Sequence, residues 1–107
     1  MPTSRPLLLG LGCLVSLLSS QPLHASSPGA WATHRLEVVA KCRQASGLLN
    51  ARLIGTLVEF DDSIGATAAL IGGTHPQAHR AGQTGRSLCL FDRRSRTAQA
   101  APADDWR

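Results

Sequence analysis

Apolar positions along this chain follow three spacings, and each spacing points to a different kind of element. The first is nearly unbroken. Leu7 to Leu18 (LLLGLGCLVSLL) carries nine apolar side chains in twelve residues, behind Arg5 and ahead of Ser19, Ser20, Gln21 and Pro22. A basic start, an apolar run and a polar stretch ending on a small residue, Ala25, predict a cleaved secretory signal peptide over 1–25. Twelve helical residues reach about 18 Å against a hydrocarbon core of roughly 30 Å, so no stable membrane span is expected after cleavage. A lipid anchor on Cys13 fits less well, because Gly10 stands three residues before it and four more apolar residues follow it.

The second spacing is helical. Residues 26–32 (SSPGAWA) read as a small-residue linker, with Ser27-Pro28 as an alternative helix start. Over 33–46 a helix places Val38, Val39, Cys42 and Ala45 on one stripe, with Thr33 to cap it and Gly47 to end it. A strand would instead alternate Leu36, Val38, Ala40 and Cys42 with Arg35, Glu37 and Lys41. The length of the segment and its Ser46-Gly47 ending favour the helix.

The third spacing is that of strands. Residues 51–60 (ARLIGTLVEF) and 65–72 (GATAALIG) flank the turn Asp61-Asp62-Ser63, which predicts a hairpin. Both runs are apolar on both faces, so the helix should cover one side and loops or a partner the other. A Gly-rich loop is expected over 73–85, a third strand over 86–92, a turn from Asp92 to Ser95 and a weak fourth strand over 96–100. Residues 101–107 read as a tail. The predicted fold is α+β: one helix on a three- or four-stranded antiparallel sheet, two layers, in a single domain over 33–100.

Removing the leader changes the arithmetic. The 107-residue chain has a net charge of +4 and three cysteines. Its mature part has 82 residues, ten basic against seven acidic, and two cysteines, Cys42 and Cys89. A domain of that size buries only about 60–65% of its unfolded surface and is marginal on core alone. A disulfide between Cys42 and Cys89 is therefore expected, tying helix to third strand, in a secreted or periplasmic compartment. Redox and metal sites place their cysteines a few residues apart, and these two are 47 apart.

Candidate chemistry is sparse. His75 and His79 share a loop, but Pro76 lies between them and no third ligand is close, so a solvated turn is expected; a metal site there is the weaker reading. Asp61 and Asp62 read as turn formers, and Glu59 as a structural partner for a cation across the hairpin. Ser63 and Ser87 lack a nucleophile elbow, and GQTG at 82–85 does not match a phosphate-binding loop. No catalysis and no cofactor are expected. Arg80, Arg86, Arg93, Arg94 and Arg96 could contact a polyanion or partner through bidentate pairing. Without stacking aromatics or a recognition helix, specific nucleic-acid binding is not expected. Trp31 and Trp106 should pack back and fasten the two ends of the domain.

The expected function is a small exported binding module of the cell envelope. Its partner would be an unknown envelope protein or an acidic envelope component. The alternatives are an inhibitor of a secreted or periplasmic hydrolase and a metal-responsive protein using His75 and His79.

Overall fold

The computed structural model describes residues 27–106; the expected leader and its cleavage site, at 1–25, lie outside them. Helix α1 (Pro28–Ser46) is followed by four strands, β1 (Leu49–Glu59), β2 (Ala66–Thr74), β3 (Thr84–Asp92) and β4 (Thr97–Pro102). The strands form an antiparallel meander in the order β1-β2-β3-β4, with α1 against one face. The predicted α+β two-layer fold is the observed one, and the sheet has four strands.

The helix begins five residues before the expected 33, so 28–32 is its first turn and not a linker. Ser27 decides this: its Oγ accepts a hydrogen bond from the Ala30 N–H at 3.1 Å, while Pro28 enters the first turn without losing a bond. The far end closes as expected on Gly47, which takes the left-handed φ of 70°.

Inward residues of the sheet alternate as a pleated surface requires. Thr67, Ala69 and Ile71 of β2 and Ser87, Cys89 and Phe91 of β3 are buried under α1. Val38 and Cys42 meet them from the helix, and Leu48, Ala51, Leu53, Leu57, Ala98 and Ala100 close the sides. Cys42 and Cys89 are disulfide-bonded in the middle of this core, with Cα atoms 5.7 Å apart. Strand β1 carries two register shifts, between Leu49 and Arg52 and between Ile54 and Val58. Gly55, at φ 74°, permits the second, which keeps Leu57 facing inward and Val58 outward.

The tail expected from 101 starts later. Ala101 and Pro102 still pair with Leu88 and Ser87, and Ala103 is buried. The loop expected over 73–85 shrinks in the same way, because Gly73, Thr74, Thr84 and Gly85 continue the β2–β3 ladder. Glycine is needed there: a Cβ on Gly73 would lie 2.6 Å from the Leu49 carbonyl oxygen, and one on Gly85 2.6 Å from His75 Nε2.

An ion cluster ties the β3–β4 turn to the helix. Glu37 takes Lys41 Nζ at 3.0 Å and the Arg96 guanidinium, and Lys41 also donates to the Arg96 carbonyl at 2.7 Å. These cations, Arg96 above all, lower the Glu37 carboxyl from its ordinary 4.5 to about 2. A lowered acid stabilises the fold above its unfolded value and loses that contribution as pH falls through the folded one. The wild type is therefore expected to melt above Glu37→Gln at pH 7, with the gap closing between pH 4.5 and pH 2. Paired melting curves at five pH values check this; a gap that persists at pH 2 assigns the effect to something other than the charge.

Candidate functional site

The structure divides the five arginines between opposite ends of β3 and engages most of them internally. Arg80 pairs with Asp104 at 3.1 Å, and the Arg86 guanidinium donates to the Trp106 carbonyl. At the other end Arg96 holds Glu37, as described, and Arg93 reaches inward. The Arg93 guanidinium bonds Glu59 Oε1 at 3.2 Å, Asp62 Oδ1 at 3.1 Å and the carbonyls of Phe60 and Ala66. It locks the β1–β2 turn to the β3–β4 turn. Arg94 is exposed.

The two loop histidines have different fates. His79 is exposed in a short 3₁₀ turn, Ala78–Arg80. His75 departs from the solvated turn expected of it and is only 8% exposed. Its Nε2 is buried without a hydrogen-bond partner, 3.4 Å from Asp104 Oδ1. It fills the space left by the absent side chain of Gly85. Asp104 also accepts from the Arg86 backbone N–H at 2.9 Å and, with Arg80, these bonds hold its carboxyl below the usual range. Among the described residues no group of three or more His, Cys, Asp or Glu side chains could hold a metal ion.

A polar network unforeseen in the sequence lies under the first half of α1. His34 Nε2 is 3.2 Å from Thr67 Oγ1 and 3.4 Å from Glu59 Oε2. Thr67 in turn donates to Glu59 Oε1 at 2.6 Å. The imidazole sits edge-on between Trp31 and Phe91, with ring centroids 5.7 Å apart on each side. Two open clefts of about 320 and 650 Å³ share Trp31 and His34 as a common wall. Four-residue steps back from Cys42 through Val38 lead to His34, a helical signal available in the sequence. Thr67 is fully buried and its hydroxyl is committed to Glu59, while His34 and Glu59 line the smaller cleft. Glu59 has a cationic partner, Arg93, which comes from the β3–β4 turn and not from across the hairpin.

Neither tryptophan is packed away as expected; Trp31 is 45% exposed and Trp106 55%. Trp31 gives one edge to His34 while its other side lines the clefts. Trp106 is held through its backbone, by Ala103 and Arg86, which leaves the indole outside.

The largest chemical anomaly is the face of the sheet that α1 does not cover. The register sets its side chains in rows. One row runs Ile54, Leu70, Leu88, Ala101, and the next Val58, Ala68, Leu90, Gln99. Ile54 folds over Gly72, where its Cδ1 stands 2.6 Å from the place a Cβ would take. Val58 and Leu90 remain 53% and 49% exposed, and Ile64 in the β1–β2 turn borders the same face. The charged residues sit beyond these rows, Arg52 and Arg86 flanking Gly72 at one end and Asp92 flanking Ala66 at the other. An antiparallel sheet with one solvated face ordinarily turns polar side chains to water there. This one turns leucine, isoleucine and valine outward: Val58 and Leu90 are exposed, Ile54, Leu70 and Leu88 are half-buried, and Ala68 between them is 9% exposed. Comparison with protein-family models, curated proteins and solved structures finds no match to the chain.

Proposed function

We propose that the protein is a small exported interaction module that docks a partner through the uncovered face of its sheet, without catalysis of its own. The apolar rows on that face carry the reading. A patch of this kind on a folded surface marks an interaction site, since exposing it costs solubility and returns nothing to the fold. Export is supported by the apolar run at 7–18 and by the buried Cys42–Cys89 bond, which is compatible with an oxidising compartment. Two observations favour binding over chemistry. The Thr67 hydroxyl beside His34 is committed to Glu59, and the arginines lining the larger cleft, Arg93 and Arg96, are already paired.

Photo-crosslinking in producing cells tests the reading. A benzophenone side chain at position 90 is expected to give a discrete covalent adduct, whereas one at position 36, an exposed leucine on α1, is not. No adduct from position 90, or equal adducts from both, would sink the docking face.

A further inference from the structure

We infer that the occupant of the uncovered face is a second copy of this chain, in a two-fold sandwich with the strands of the two sheets running in opposite directions. This rests on the docking face proposed above and names its partner. The register is the reason. Four cross-strand rows succeed one another along the sheet: Arg52-Gly72-Arg86, then Ile54-Leu70-Leu88-Ala101, then Val58-Ala68-Leu90-Gln99, then Ala66-Asp92-Thr97. A two-fold axis lying between the two sheets, across the strands and between the second and third rows, exchanges the second row with the third and the first with the fourth. Such an interface is isologous, so one face must complement itself.

This face does. Leu70 comes over the partner's Ala68, large over small, and Ile54 over the partner's Val58. Leu88 meets the partner's Leu90. Gly72, bare of a side chain, faces the partner's Ala66. At the rim Arg86 stands opposite the partner's Asp92, and the same pair forms again at the other end by symmetry. Asp92 is charged at neutral pH, because the backbone N–H groups of Arg94 and Ser95 hold its carboxylate. Arg86 spends one N–H on the Trp106 carbonyl, and among the described residues its guanidinium makes no other hydrogen bond. An axis along the strands would lay each arginine row over itself instead, a like-charge arrangement that costs affinity.

The size is adequate. Four strands about 4.8 Å apart and roughly 30 Å long present about 500–600 Å² per copy. The pair buries about 1,000–1,200 Å², the lower end of specific interfaces, where weak and transient pairs lie. Sheets packed this way sit about 10 Å apart, so both helices and both pairs of clefts stay on the outside.

Sedimentation equilibrium of the purified, oxidised protein from 1 to 200 μM decides it. The expected result is a monomer–dimer equilibrium with twice the chain mass at the upper end. Leu90→Glu should weaken it at least tenfold and Leu36→Glu on α1 should leave it unchanged, with circular dichroism confirming both folds. If Leu90→Glu does not fold, Val58→Lys on the edge strand reads the same face. Arg86→Glu should weaken the dimer several-fold, and more at low salt than at high. A monomer at 200 μM, or a dimer indifferent to Leu90→Glu and Val58→Lys, overturns the inference. The crosslinking experiment separates the two readings: an adduct of two chain masses supports both, and an adduct of another mass keeps the docking face and rejects the second copy. No adduct rejects the docking face itself.

Discussion

Reduction of the Cys42–Cys89 bond is expected to lower the melting temperature by about 20 °C. The bond closes a 47-residue separation, and the chain-entropy model values that closure at about 4 kcal/mol. For a domain of this size each kcal/mol moves the melting point by roughly 4–8 °C. Few other contributions can compensate. Among the described residues the largest fully buried side chains are Phe91, Ile71, Val38, Thr67 and the two cysteines themselves, so the crosslink is also part of the core. It joins the only helix among the described residues to an inner strand, and opening it frees both layers at once. Thermal melts with and without a reductant, together with Cys42→Ala/Cys89→Ala, measure the effect. A loss below 5 °C in both would mean that the layers hold without the covalent tie.

The second large effect is expected from Phe91→Ala, at about 3–5 kcal/mol, the range for emptying a buried aromatic site. Phe91 is the largest fully buried side chain. Its ring takes the edge of His34 on one side and lies within 6 Å of both Lys41 Nζ and the Arg96 guanidinium, at 5.9 and 5.7 Å. Those cations belong to the Glu37 cluster, so losing the ring also loosens the tie between α1 and the β3–β4 turn. A stability comparable to that of other small domains, about 5 kcal/mol, would be nearly exhausted. Phe91→Leu, which leaves most of the site filled, should lose about 1–2 kcal/mol. Urea titrations read both, provided the slope is unchanged. A loss under 1 kcal/mol for the alanine variant would show that the core collapses around the gap.

Both effects follow from residues whose roles were legible to different degrees. The pairing of Cys42 with Cys89 needed only their number once the expected leader is set aside, and the disulfide spans the two layers as expected. Phe91 lies in an alternating strand, RSLCLFD, which fixes its side relative to Cys89. The start of α1 was harder, because Pro28 and Gly29 are poor evidence of a helix until Ser27 is seen to cap it. His75 was misjudged for a clearer reason. A Pro- and Gly-rich neighbourhood predicts solvent, while burial came from Gly85, ten residues away in sequence and adjacent in the ladder. The His34, Thr67, Glu59 and Arg93 network had no short motif because its members come from α1, β2, β1 and the β3–β4 turn.

Local chemistry thus carried the element types, the antiparallel meander and the disulfide. Periodicity, turn residues and an even thiol count act over a few residues or through simple counting. It also carried the hint of a partner, since β1 and β2 are apolar on both sides and one helix can cover only one. Tertiary structure alone decided which residues share a face. The bulge at Gly55 sets Val58, and not Thr56, opposite Ala68, and the β2–β3 register sets Leu70 beside Leu88 and Ala68 beside Leu90. A one-residue slip would have exchanged that surface with the core. The proposed docking face is therefore a property of register, and register is settled only when all four strands and the helix pack together.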